Sequence, residues 1–581
     1  MLLKLLRRYG KPYLGVILIV ILMQVVQTIA NLWLPSLNAD IIDKGVVTGD
    51  TGKIMHYGAI MLGMTAVQLV ASLVALYLAA KSGTMIAHDI RHSVFSTVQG
   101  FSRTEMHKFE AASLITRATN DIKQIQDVTI MGLMFMIMSP IMAIGGVIMA
   151  IRQDTGLSLL LLVAVPLLAV VMGVLMWRLH PLFQVAQKRT DAINGVLREQ
   201  ISGVRVIRAF VRQETERERF QVANQNLRDT NLSIGKLFAL MFPSVNLIIG
   251  VASAAVIWFG AIRIDSGAME VGAMVAFLNY LMQIFMAVMM LSFMFIMIPR
   301  AQVCAERVAK VLHTKPSISA PEDAKELPTE KVGFALEKAT VRYPGAEVPV
   351  LTDINVDLKP GTTTAVIGST GSGKSTLAAL LPRLIDPSDG TITAGGIDLR
   401  QLDPEKLRQR IAYVPQTAYL FSGTIASAVS ALPPEKVNDR VRERVIQALK
   451  DAQGWEFVSR LDDGIDSRVD TGGKNFSGGQ RQRLTIARAL YRNADLYVFD
   501  DSFSALDYAT EARVRAALPQ ATAGAAILMV AQRVSTIEQA DQILVLEGGK
   551  AVGLGKHKEL LETCETYREI VDSQLRGEEA K

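Results

Sequence analysis

Gly368-Ser369-Thr370-Gly371-Ser372-Gly373-Lys374-Ser375-Thr376 is the stretch whose reading decides the fold. A β-branched run, Thr362 to Ile367, precedes it and predicts a buried strand; Leu377-Ala378-Ala379-Leu380-Leu381 follows and predicts a helix. Strand, glycine loop, Lys-Ser and helix together are the context in which G-x-x-x-x-G-K-[ST] cradles phosphate. The glycines let backbone N–H groups converge on phosphate oxygens, and the helix N-terminus adds partial positive charge. Lys374 is expected to reach the β- and γ-phosphates and the Ser375 hydroxyl to ligand Mg²⁺. The residues predict an ATP site.

Working outward, the 581-residue chain is too long for one domain and, with half its residues hydrophobic, too apolar for one soluble protein. Its mean hydropathy is +0.28. The net charge of +6 calls for no nucleic-acid partner, because excess Lys and Arg on cytoplasmic loops is expected of a membrane protein. Two cysteines, Cys304 and Cys564, make no disulfide framework and lack metal-ligand spacing.

Six apolar stretches lie before residue 300, at about Tyr13–Pro35, Met55–Ala80, Val128–Ile151, Leu157–Trp177, Leu237–Ile262 and Val271–Ile298. Each is long enough to cross a bilayer, which takes about 20 residues. None contains Asp, Glu, Lys or Arg, so no proton or ion relay is indicated. Lys4, Arg7, Arg8 and Lys11 before the first stretch place the N-terminus inside. The connections 81–127 and 178–236 are basic and also inside; Arg152–Gly156 and Arg263–Glu270 are outer turns. An even number of spans returns the C-terminus to the cytoplasm. The inner connections are too long for structureless loops and predict helical extensions of the spans. Short cross-helices at their bends, within 101–124 and near 199–214, are placed to dock on the ATP domain.

In the sixth span Met282, Met286, Met289, Met290, Met294 and Met297 recur near helical spacing, and the third span adds Met131, Met134, Met136, Met138 and Met142. Methionine suits a surface that accepts varied apolar ligands, though ordinary packing accounts for many such positions. Asn246, Asn279 and Gln283 are neutral polar candidates for a cavity lining.

Residues 308–331 shift to Lys, Pro, Glu and Ser, a linker between 1–307 and a soluble 332–581 of alternating strand-like and helix-like runs. The remaining motifs follow in order. Tyr343 in Val341-Arg342-Tyr343-Pro344 is placed to stack an adenine, and Gln416 in Val414-Pro415-Gln416 to touch either Mg²⁺ or the attacking water. Leu496-Tyr497-Val498-Phe499-Asp500 is an apolar strand ending in an acid that would hold the metal's water shell. Phe476-Ser477-Gly478-Gly479-Gln480 puts small residues at the start of a helix, another anion-binding arrangement.

With these motifs in this order the chain resembles the ATP-binding cassette (ABC) transporters, specifically exporter half-transporters. The resemblance covers essentially the whole chain. It implies an all-α six-helix transmembrane domain with long cytoplasmic helical extensions, fused to an α/β P-loop nucleotide-binding domain. By motif, Tyr343 matches the A-loop, Gly368–Thr376 Walker A, Gln416 the Q-loop and Phe476–Gln480 the signature, usually Leu-Ser-Gly-Gly-Gln. Asp500 matches the Walker B acid, and Ser504-Ala505-Leu506-Asp507 the D-loop. The family's cassettes dimerise head to tail, each ATP lying between one chain's Walker A and the other's signature. A second half-transporter chain, the lipid bilayer, and a hydrophobic small molecule or lipid are therefore the implied partners.

The chain departs from the pattern at three places. Asp501 stands where the family has a glutamate that activates water; one methylene shorter, its carboxylate sits back, and general-base catalysis depends on hydrogen-bond reach. Gln532, in Ala531-Gln532-Arg533, replaces the family's His and neither carries charge nor titrates near neutral pH. Thr471 replaces a glutamate before the signature. Intact binding motifs beside altered hydrolytic positions predict the degenerate subunit of a heterodimeric exporter in the cytoplasmic membrane. Uptake or lipid flipping is the alternative, and a channel or nucleotide-sensing regulator the reading from another class. A channel would need a polar pore lining that these spans lack.

Overall fold

The computed structural model describes residues 1–579. It divides into two compact units, Met1–Gln99 with Ala111–Thr314, and Gly100–Glu110 with Lys315–Lys581.

The first unit is helical: α1 (Leu2–Gly10), α2 (Leu14–Ile41), α3 (Thr51–Gln99), α5 (Ala111–Thr116), α6 (Ile122–Gln153), α7 (Leu159–Ser202), α8 (Val204–Ala209), α9 (Gln213–Asp265) and α10 (Val271–His313). Six helical stretches among the described residues are long and apolar enough to cross a membrane. Helices of 44 and 53 residues in α7 and α9 greatly exceed a bilayer's thickness, so the long connections are helical as expected. Prolines interrupt α2, α6, α7, α9 and α10 without ending them, which neighbouring helices permit inside a membrane. α10 packs on α6, α2 on α3, and α7 on α9. The two short turns meet: Arg263 donates to the buried Asp154 at 2.9 Å, and Asp154 also accepts the Leu157 N–H at 2.7 Å. α10 runs past the linker start expected at 308, because Val308, Ala309 and Val311 are fully buried.

The second unit includes α4 (Arg103–Phe109), the first of the expected cross-helices. Ser102 and Glu105 form a capping box at its start, and the Ser102 hydroxyl lies 2.8 Å from that of Ser317. The rest is α/β. An antiparallel sheet has the order β2 (Leu351–Leu358), β1 (Phe334–Val341), β4 (Asp389–Ala394), β5 (Ile397–Asp398). The main sheet has the order β12 (Lys550–Gly555), β11 (Gln542–Glu547), β3 (Thr363–Gly368), β10 (Ala526–Val530), β9 (Leu496–Asp500), β6 (Ile411–Val414), and only β12 is antiparallel. β7 (Gly423–Thr424) and β8 (Arg468–Val469) form a small ribbon. β9 and β10 are buried at every position, which is why they read as continuous apolar runs. Sites in such sheets lie beyond the carboxyl ends of the strands, and β3, β9 and β6 each end where a motif begins.

Candidate nucleotide site

β3 ends at Gly368, and the helix Lys374–Leu380 starts directly after the loop. Gly371 and Gly373 have φ of +85° and +95°, the left-handed region that glycine tolerates. A side chain at Gly373 would also stand 2.9 Å from the Val350 carbonyl oxygen. Lys374 is 9 % exposed, and its ammonium donates to the Gly368 and Ser369 carbonyls, both at 2.8 Å. Burial holds its pKa below the usual lysine value, opposed by the nearby Asp501 and Asp500 carboxylates. Ser372 is buried in the loop, and its hydroxyl has no partner among the described residues.

Asp500 closes β9 opposite the loop. Its Oδ1 accepts from the Ser375 hydroxyl at 2.9 Å and its Oδ2 from the Tyr413 hydroxyl at 3.0 Å. Asp501 follows with φ of +49° and donates its N–H to Val530 at 3.0 Å, so the chain turns off the sheet there. One oxygen of Asp501, Oδ2, accepts both the Gln416 amide at 3.1 Å and the Gln532 amide at 2.8 Å. Burial chiefly raises the Asp501 pKa; the Gln416 hydrogen bond works against that, the Asp500 charge adds to it, and Lys374 and Gln532 lower it. Six of the expected residues, Lys374, Ser375, Gln416, Asp500, Asp501 and Gln532, thus form one connected cluster. Tyr343 borders it through a 3.2 Å contact between its hydroxyl and that of Thr376.

The signature stretch is built separately. Phe476 is buried in the core, edge-on to Phe457, whereas Ser477 and Gly478 are exposed. The Ser477 hydroxyl accepts the Gln480 N–H at 3.3 Å, and the Gln480 side chain accepts the Ser477 N–H at 2.9 Å. These hydrogen bonds stay within the motif. A Cβ at Gly479 would meet the Ala505 carbonyl at 3.3 Å, so the signature helix adjoins the D-loop. Asp507 caps the helix Tyr508–Ala521 by accepting the Thr510 N–H at 2.9 Å, which also lowers its pKa.

Two contributors escaped sequence reasoning. Tyr413 sits on β6, beside β9, and its one mark in the sequence is a hydroxyl in an otherwise apolar run. Burial, and then the Asp500 charge, raise its phenol pKa, so it stays a neutral donor. Gln574, in the C-terminal helix Glu565–Glu579, accepts the Val534 N–H at 2.8 Å and donates to the Gln532 carbonyl at 2.7 Å. Nothing in the sequence marks it.

Comparison with known proteins bears on the same stretches. Residues 17–288 match the ABC transporter transmembrane region and residues 351–504 the ABC transporter family itself. An uncharacterized ABC transporter ATP-binding protein of Mycobacterium tuberculosis is 46 % identical over 578 residues, 99 % of this chain and 98 % of the relative. The chain belongs to the ABC transporter family. An ATP-dependent lipid A-core flippase of Chromobacterium violaceum is 29 % identical, covering 98 % of this chain and 96 % of its own. The structure of a bacterial Atm1-family ABC exporter with ATP bound superposes with a TM-score of 0.79 at 22 % identity over 98 % of both chains, a likeness of fold. This half-transporter is therefore a multi-pass membrane protein with the exporter fold, an ATP-binding ATPase coupled to transport, and it dimerises.

Proposed function

We propose that this half-transporter exports hydrophobic or amphipathic compounds across the cytoplasmic membrane as one half of a heterodimer, with its termini and ATP domain cytoplasmic. Its Walker A, Asp500, Asp501 and Gln532 form a slow site with the partner's signature, while its own Ser477-Gly478-Gly479 completes the partner's fast site. The observation that carries this is the double engagement of Asp501 Oδ2 by Gln416 and Gln532. A base that activates water needs a free lone pair within hydrogen-bond reach. Here the short carboxylate is held back by two amides that cannot titrate.

The Ser375 hydroxyl and the Asp500 carboxylate, 2.9 Å apart, fit Mg²⁺, a hard cation that takes one or two protein oxygens beside water and phosphate. When bound it neutralises phosphate charge. Lys374 would move from the loop carbonyls to phosphate, Tyr343 would pack the base, and Gln416 and Gln532 would orient water or the γ-phosphate. Tyr413 would fix the orientation of Asp500. Tyr413→Phe is then expected to raise the half-saturating Mg²⁺ concentration of ATPase activity about 10- to 100-fold, one lost hydrogen bond to a charged group. ATP affinity measured without Mg²⁺ should stay put; a Mg²⁺ titration of the reconstituted dimer checks both.

The methionines divide between packing and exposed positions. Met294 is buried beside Gly132, and Met134 and Met142 face Gln24 and Asn31 of α2, whereas Met282 and Met286 remain exposed at 47 % and 52 %. Asn246 is exposed, and Asn279 donates to its own helix at Val275. Lipid flipping is the second reading, favoured by the 29 % identity to a protein named for that activity. The deciding experiment on the pairing reconstitutes the chain alone in vesicles. Its ATPase rate should lie at least about tenfold below that of the pair, the scale of a misplaced general base. Full turnover by the lone chain would refute it.

A further inference from the structure

α2 carries Gln24, Gln27, Thr28 and Asn31 at i, i+3, i+4 and i+7, one face of a membrane-spanning helix. That face meets α6 and α10. The Gln24 amide donates to the Met134 sulfur at 3.0 Å, the Asn31 amide approaches the Met142 sulfur at 3.9 Å, and the Gln283 amide donates to the Asn31 carbonyl at 3.4 Å. Gln24 and Thr28 are fully buried, and Gln27 is 9 % exposed. Thr28 satisfies itself on the Gln24 carbonyl at 2.7 Å. Among the described residues the side-chain oxygens of Gln24, Gln27 and Gln283 have no partner.

Side chains that merely glue helices together pair with one another across the interface. The Gln24, Asn31 and Gln283 amides donate only to thioether sulfur or backbone, and the oxygens of Gln24, Gln27 and Gln283 are left over in a medium with no water to satisfy them. Asn31 and Gln283 are only half-buried, so the row opens to the surface at that end. The apolar spans contain no Lys or Arg to neutralise an anion. We propose that this α2–α6–α10 seam is a cargo-binding site for the hydrogen-bond-donating group, an ammonium, amide N–H or hydroxyl, of an otherwise apolar molecule. Orphaned acceptors attract N–H and O–H groups and repel anionic heads, so the seam disfavours phosphorylated lipids. The assignment rests on the export reading and names its substrate class.

Two cationic dyes isolate the donor: rhodamine 6G, with two N–H groups, and rhodamine B ethyl ester, with tertiary amines and none. Binding to the purified dimeric transporter in lipid nanodiscs is followed by fluorescence polarization. The wild-type dimer should bind rhodamine 6G about tenfold tighter, one to two net hydrogen bonds. Gln24→Leu, Gln27→Leu and Gln283→Leu, tested separately, should each cut that ratio to about threefold or less by weakening rhodamine 6G alone. Their melting temperatures should change little, because each substitution trades at most one weak hydrogen bond for the removal of an unpartnered side-chain oxygen, and any variant that still elutes as a dimer suffices. A wild-type ratio near one, or an unchanged ratio in the variants, would overturn the assignment while leaving export standing. Failure of the wild-type dimer to bind either dye would overturn the export reading and this site with it.

Discussion

Asp501→Glu together with Gln532→His should raise hydrolysis at this chain's ATP site by about 10- to 100-fold, at or just below the low end of what a positioned general base contributes. In the present arrangement Asp501 Oδ2 is 3.1 Å from the Gln416 amide and 2.8 Å from the Gln532 amide, so one oxygen of the short carboxylate is already engaged twice. An added methylene carries the carboxylate past this clamp. Exchanging Gln532 for His removes one of the two amides and supplies a ring that can carry charge. ATP affinity should change less than about threefold, because the phosphate cradle and Ser375 are untouched and the gain belongs to the transition state. Single-turnover hydrolysis, with the partner's own site disabled, gives the rate; equilibrium nucleotide binding gives the affinity. An unaltered rate would place the defect elsewhere, with the partner's signature the first suspect.

Gly368→Ala should abolish nucleotide binding by this chain. A Cβ at Gly368 would stand 2.0 Å from the Leu546 carbonyl oxygen and 2.8 Å from the Ser372 hydroxyl. Leu546 is the β11 residue in register with Gly368, so the clash is with backbone and no rotamer relieves it. The β3–β11 pairing would have to open where the phosphate loop leaves the sheet, at a cost of about 1–3 kcal/mol or more. The expected result is a drop in melting temperature of several degrees, with nucleotide affinity reduced at least about 100-fold as the loop loses its geometry. Gly371→Ala is the contrast. Among the described residues no atom lies within 4 Å of its would-be Cβ, and only the φ of +85° penalises it, by about 1–2 kcal/mol. Equal losses from the two substitutions would show that backbone strain, and not the β11 contact, shapes the loop.

Most of the architecture was legible because two kinds of apolar run are strong in this chain. Long stretches without charge announce membrane helices, and the short runs of β3 and β9 announce strands buried on both faces. Lys374, Ser375, Gln416, Asp500, Asp501 and Gln532 could be assembled in advance because each belongs to a spaced motif. Tyr413 and Gln574 could not: each acts through a contact of high sequence separation, with Asp500 and with the Gln532 carbonyl, and lies outside any such spacing. The polar row on α2 was hidden for another reason. Its amides lie within a long apolar run, where composition outweighs them, and only the facing of α2 toward α6 and α10 brings Gln24, Asn31 and Gln283 into one seam. The methionine stripe mixes two roles that helical spacing cannot separate: Met294 is buried, as ordinary packing has it, whereas Met282 and Met286 are exposed.

Division of labour between the two ATP sites is tested most directly by single-turnover hydrolysis of the heterodimer with each signature disabled in turn. Gly478→Asp suits this chain, because Gly478 is exposed and a side chain there meets nothing within 4 Å, so the substitution leaves this chain's own packing alone. An aspartate at that point sets negative charge where a partner-bound γ-phosphate would lie, at a helix N-terminus that otherwise favours anions. If this chain completes the fast site, Gly478→Asp should remove most of the turnover, while the equivalent change in the partner should cost little. Turnover that survived Gly478→Asp and vanished with the partner's substitution would contradict the assignment and place the fast site on this chain's own Walker A.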